Sequence, residues 1–215
     1  MNKKKELLLL LALFVGMIAS FDYVNRYHQE ASKNTLAAII EQNAVQPFSR
    51  PERSKFADCQ VRGPLPDQDC SPGAIFPEAT RTQICVKGYT KTVRNVSANL
   101  KKRIYQEYGL DYPQPTGSYE ADHIIPLELG GSNDIANLFP EAAESSPTTV
   151  GLGEATQARP GFHEKDLVEN YLNHEVCAGR LDLVAAQEQI ATDWFTVYNN
   201  LTPEQINNLK QEFRN

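Results

Sequence analysis

The run YEADHIIPLELGGSNDIANLF at Tyr119–Phe139 constrains the fold more than any other stretch of the chain. Its first half, Ala121–Leu129, is dominated by Ile and Leu and reads as a β-strand. Gly130-Gly131-Ser132-Asn133-Asp134 is a dense turn signal, and Asn137-Leu138-Phe139 can return as the partner strand. The expected unit is therefore a hairpin. Within it Asp122 and His123 are adjacent, and neighbours on a strand point to opposite faces. The pair can serve one centre only if a bend re-aims one of the two side chains.

Helical signals surround this hairpin. Val96, Leu100, Ile104 and Tyr108 recur every fourth residue and Gly109 follows, which predicts an amphipathic helix with a glycine stop. A second helix is expected from Phe162, with Leu167, Val168, Tyr171, Leu172 and Val176 as its apolar stripe; His163 lies in its first turn. Leu183–Tyr198 and Pro203–Phe213 read as two more, the last with Thr202 as N-cap and Gln205 completing a capping box. Thr82–Val93, rich in Thr, Val, Ile and Tyr, is expected to hold one or two short strands around Gly88. The segments at Cys59–Pro77 and 145–161 read as loop.

The N-terminus carries Lys3, Lys4 and Lys5 ahead of an apolar run, Leu7–Ala19. That run matches a signal-peptide core and falls short of the ~20 residues that span a bilayer comfortably. Residues 1–20 are read as a signal peptide or an N-terminal membrane anchor, 21–57 as a polar linker and 58–215 as the domain. On either reading the chain is exported, periplasmic or secreted, or anchored to the inner membrane facing outward. The four cysteines, Cys59, Cys70, Cys85 and Cys177, form an even set without a C-x-x-C pair, which fits two disulfides in an oxidising compartment. Three pairings are open. Cys59–Cys70, closing a local Pro/Gly loop, with Cys85–Cys177, tying front to back, is preferred.

The formal net charge of −6 argues against a tight, non-specific nucleic-acid binder. The charge is uneven, however. From Arg81 to Arg103 the chain carries Arg81, Lys87, Lys91, Arg94, Lys101, Lys102 and Arg103 and no acid. A solvated face and a phosphate-contacting surface are both open readings of that run.

The pattern D-H-I-x-P-x-x-x-G-G-S-N-x-x-x-N-L, followed by a helix bearing a histidine, resembles the HNH endonuclease family, the ββα-metal nucleases. The stretch from CSPGAIFP through ICVKGYTKTVR to HEKDLVENYLNHEVCAGRLDLVAAQEQIATDWF is similar to an exported bacterial subgroup. The resemblance implies an α+β fold: a small hairpin-plus-helix core within a mainly helical, disulfide-braced domain. It implies a metal-dependent endonuclease acting on DNA, with RNA as a second candidate. One divalent ion is implied, Mg²⁺ first, with Mn²⁺ or Zn²⁺ as alternatives.

Residue by residue, the resemblance makes Asp122 a metal ligand and His123 the general base. Asn137 would hold the inter-strand loop and orient His123, and His163 would be the second ligand, with His174 as its competitor. Lys91, Arg94, Lys101 and Lys165 are candidate phosphate contacts; for Lys165 a solvated helix charge is the plain alternative. The chain departs from many relatives in lacking paired zinc-binding cysteines and in the long stretch between Asn137 and His163. The other reading is a non-catalytic ββα binding or scaffold module of the cell envelope. A membrane contact is expected only through an uncleaved N-terminus, and no protein partner is evident.

Overall fold

The computed structural model describes residues 50–144 and 160–212, with two further helical positions at 29 and 33. The chain divides into two units, Met1–Pro47 and Phe48–Asn215, and the second carries the Tyr119–Phe139 run and both disulfides. The expected leader lies outside the described residues.

The order of elements is α1 (Arg81–Ile84), α2 (Tyr89–Val93), α3 (Ala98–Glu107), β1 (Tyr119–His123), β2 (Leu138–Ala142), α4 (Phe162–Cys177), α5 (Leu183–Asn200) and α6 (Pro203–Glu212). Two 3₁₀ turns, Leu127–Leu129 and Ile135–Asn137, lie between the strands. The fold is α+β, helices around one two-stranded antiparallel sheet in which Asp122 pairs with Phe139 and His123 with Leu138.

The strand ends earlier than its apolar composition predicts. His123, Ile124, Ile125 and Leu127 are all buried, and such an unbroken run is incompatible with the alternation of a half-exposed strand. Pro126 supplies no amide donor, and the Ile125 amide donates to the Asn137 side chain in place of a neighbouring strand. Residues 124–137 thus form a compact loop, not a tight hairpin turn. Gly131 makes the loop possible by close approach: a Cβ there would lie 1.7 Å from the Ile125 carbonyl oxygen. The loop is also clipped to the Cys70–Ala79 segment, where Ser132 N donates to Ala74 O (2.9 Å) and Phe76 N to Gly130 O (2.8 Å).

The expected strands in Thr82–Val93 are helices instead. Thr80 caps α1 in a capping box with Gln83, and Gly88, at φ +89°, opens α2. These local caps, together with the Cys85–Cys177 bridge, outweigh the β-propensity of Thr, Val and Ile. The helix after it meets the expectation: Ser97 accepts from Leu100 N (3.2 Å), and Gly109 is left-handed at φ +69°.

The core lies where α4 and α5 pack against the inter-strand loop. Ile124, Ile125, Leu129, Phe139, Val168, Leu172, Val176, Ile190 and Trp194 fill it. Helix α5 breaks at Asp193, whose carboxylate accepts from Thr196 N (2.9 Å) and so caps the continuation. The disulfides are Cys59–Cys70 and Cys85–Cys177, the preferred pairing, spanning 11 and 92 residues. Such bridges fit an oxidising compartment. Among the described residues no helix is long and apolar enough to cross a membrane.

The folded part begins before residue 58. The Arg53 side chain reaches Cys70 O and Glu107, and Ser54 N donates to Asp69 O (2.9 Å). The last residues of the expected linker therefore belong to the domain, held by side-chain and backbone bonds to the Asp69–Cys70 turn.

Candidate active site

Asn137 organises the site's scaffold. It is fully buried, and its Nδ2 donates to Ile125 O (2.9 Å) and Ser132 O (2.8 Å). Its Oδ1 accepts from Ile125 N (2.9 Å) and Ala74 N (3.2 Å). Its backbone carbonyl accepts from Ile124 N (2.8 Å). An amide side chain is suited to this because it offers donors and an acceptor at one point.

His123 ends β1 and is 3 % exposed. Its Nε2 lies 3.4 Å from Asn133 Oδ1, and Asn133 is itself fixed by donating to Val93 O (2.7 Å) and accepting from Asn95 N (3.0 Å). Burial lowers the His123 pKa to about 4, against the Asp122 charge that would raise it, and Arg94 adds to the depression. The imidazole is therefore neutral at neutral pH.

Asp122 faces Lys165. The Lys165 ammonium donates to Asp122 Oδ2 (2.6 Å), to the His123 carbonyl (2.6 Å) and to Glu169. Lys165 is 1 % exposed. It is therefore a buried partner of the acids, correcting the expectation of a solvated or phosphate-contacting lysine. Burial works to raise the Asp122 pKa, but the ammonium beside it prevails and holds the carboxyl below its usual range.

Further acids crowd the same region. Burial raises Glu141 and Glu169 well above the usual carboxyl value, with Asp122 reinforcing it and Lys165 opposing it. Burial raises Glu128 to about 7 and Asp166 to about 6. Glu128 Oε1 is buried without a hydrogen-bond partner, whereas the protonated Glu141 carboxyl hydrogen-bonds to Asp122. Glu141 lies beside Asp122, near enough for each to alter the other's charge.

His163 does not join Asp122. It is exposed, its ring tilted against that of Phe162 with centres 4.3 Å apart. Helix geometry gives the reason: residues two apart differ by about 200° around the axis, so a helix that aims Lys165 at β1 aims His163 elsewhere. His163 instead lines an open cleft of ≈ 680 Å³ with Arg94, Glu128, Asp166, Glu169 and Lys210. His174 sits exposed towards the other end of α4, 3.3 Å from Arg180.

The basic run is divided. Arg94 is exposed on the cleft, while Arg81 donates to Cys177 O (2.9 Å) and Arg103 to Glu107 (3.0 Å). Lys91 is exposed on α2 and Lys101 half-buried on α3.

Whether these residues could hold a divalent cation turns on their donor chemistry. Among the described residues no three His, Cys, Asp or Glu side chains are gathered into a ligand set. The Asp122–His163 pair is not assembled. Carboxylates do line the cleft with His163: Glu128, Glu164, Asp166 and Glu169. Oxygen-rich donors of this kind suit a hard ion such as Mg²⁺ or Mn²⁺.

Sequence reasoning missed Asn133 as the partner of His123, the buried ion-pairing role of Lys165, and Glu141, Asp166 and Glu169 around it. Lys165 had a signal: it is in register with Val168, Leu172 and Val176 on the apolar stripe, and a lysine there requires a buried carboxylate. Compared with protein-family models, with curated proteins and with solved structures, the chain matches none.

Proposed function

We propose that the chain is an exported, metal-dependent endonuclease of the ββα-metal (HNH) type that hydrolyses phosphodiester bonds of DNA, with RNA as the second candidate substrate. The observation that carries this reading is the neutral His123, held by Asn133 beside Arg94 on a strand pair braced by Asn137 and packed against α4.

A neutral imidazole can take the proton of an attacking water. A base with a pKa near 4 is weak in the free protein, and Arg94 is part of the cause. A phosphodiester anion bound to Arg94 would offset that positive charge and move His123 towards working pH. The imidazolium formed on proton transfer would lie next to ionised Asp122, which stabilises it. Arg94, with Lys91 and Lys101 as outlying cations, would draw the phosphate backbone to the cleft. The cleft carboxylates Glu128 and Asp166, with water filling the remaining positions, would hold the divalent ion, which when bound supplies charge neutralisation at the phosphate and an acidified water.

The test is plasmid nicking by the oxidised chain with Mg²⁺ or Mn²⁺. Nicking should cease with EDTA and fall by about 10²–10⁴ in His123→Ala, the usual worth of a general base. Cleavage indifferent to both changes would refute the proposal. The near-complete burial of His123 and the ion pair on Asp122 favour the second reading, a non-catalytic ββα module. That reading gains if the wild type binds DNA without cutting it under any of these ions.

A further inference from the structure

The Lys165 ammonium has three N–H donors and three acceptors in place: Asp122, the His123 carbonyl and Glu169. No donor is left over for a substrate phosphate, and at 1 % exposure none could reach the group without opening α4. The ammonium also bridges two elements, since its partners lie both on β1 and on its own helix. It therefore fixes the height of α4 over the strand at the residues flanking His123. Asp122 Oδ2 is committed to this contact, and its negative charge is already answered.

We propose that Lys165 is a tethered counter-ion standing where an α4 side chain would otherwise meet a metal on Asp122. Asp122 is then a positioning residue for β1 and His123, and a divalent ion binds on the cleft side without it. This rests on the metal-dependent reading only for the ion's presence. The lysine's role has an independent readout, because removing the ammonium leaves Asp122 and Glu169 without their shared counter-ion.

The measurement is Mn²⁺ binding to the full chain, disulfides intact, followed by loss of the free-ion electron paramagnetic resonance signal. Asp122→Asn should keep the wild-type Kd within twofold, whereas Glu128→Gln combined with Asp166→Asn should weaken it at least tenfold. Lys165→Met should bind Mn²⁺ at least tenfold more tightly or gain a second site, and Asp122→Asn added to it should abolish the gain. A tenfold loss in Asp122→Asn, or no gain in a folded Lys165→Met, overturns the proposal. If Lys165→Met fails to fold, the Asp122→Asn result decides alone. If the wild type binds no Mn²⁺, the metal-dependent reading falls; the counter-ion role then stands or falls on the gain in Lys165→Met, or, should that variant not fold, it stands if adding Asp122→Asn restores folding and falls if it does not.

Discussion

Replacing Asn137 by alanine isolates what holds the site in shape. The side chain makes four hydrogen bonds to backbone groups of Ile125, Ser132 and Ala74, and both Ile125 and Ser132 are buried. Each buried backbone group left without a partner costs about 1–3 kcal/mol. Relaxation and an entering water would recover part of that, leaving a net loss of about 4 kcal/mol, near the upper end for a single substitution. For a domain of this size each kcal/mol lowers Tm by roughly 2–4 °C, so the melting point should fall by about 8–16 °C. Asn137→Asp should do no better, because it keeps the acceptor but sets a negative charge against the carbonyls of Ile125 and Ser132. Thermal and urea unfolding with both disulfides intact measure the effect. A Tm within about 3 °C of wild type for Asn137→Ala would refute the reasoning: the loop would then be held by its backbone pairs to Ala74 and Phe76 alone.

Replacing Cys85 and Cys177 by serine should cost about 4–5 kcal/mol on the loop-entropy account, and replacing Cys59 and Cys70 about 3, given their spans of 92 and 11 residues. Urea midpoints that fall equally for the two pairs would contradict it. Gly131→Ala should prevent folding of the loop because of the 1.7 Å approach to Ile125 O, whereas Gly88→Ala meets no neighbour within 4 Å and should cost only about 1 kcal/mol for its positive φ. Circular dichroism and yield of oxidised protein would separate the two. Stability should decline as pH rises from about 4.5 to 7. Glu128 and Asp166 (pKa about 7 and 6), with Glu141 and Glu169, bind protons in the folded state that the unfolded chain has released. His123, lowered to about 4, acts in the opposite sense between pH 6.5 and 4, but it is one group against four. Below the ordinary carboxyl range the lowered groups Asp122 and Asp67 lose their contribution. Urea midpoints that rise steadily from pH 5 to 8 would contradict this, and saturating Mg²⁺ should flatten the decline.

The elements that could be read from the sequence are those whose signal is local and periodic. The Val96–Tyr108 spacing, the stripe on α4 and the capping box before α6 each report a helix without knowledge of what it packs against. The end of β1 was not legible because Ile124 and Ile125 are apolar for core burial, and composition does not separate that from strand pairing. Thr82–Val93 failed for the converse reason, since caps and a bridge to a residue far along the chain override propensity there. Asp122, His123 and Asn137 stood out as residues, but their partners did not. Asn133 acts across the loop on a segment ending at Asn95, and Lys165 acts across a long separation in sequence. Only the helical phase of Lys165 relative to His163 carried that information.

The balance of charge in the site has a direction. Around Asp122 the ammonium of Lys165 meets the charge, and the carboxyl is held low. Glu141, fully buried, is held protonated by burial, and Glu169 shares the Lys165 ammonium with Asp122. Glu128 and Asp166 are different: with pKa values of about 7 and 6 they are near the point of ionising at neutral pH, and both line the cleft with Arg94 and His163. Positive charge arriving there would ionise them with little rearrangement, whereas the same charge at Asp122 must first displace a lysine with all its donors in use. Glu128 and Asp166 thus share one open cleft with Arg94. On the proposed function, these are the two carboxyls whose charge a bound cation would complete, and Glu128→Gln with Asp166→Asn should remove the effect of Mg²⁺ on the pH dependence of stability.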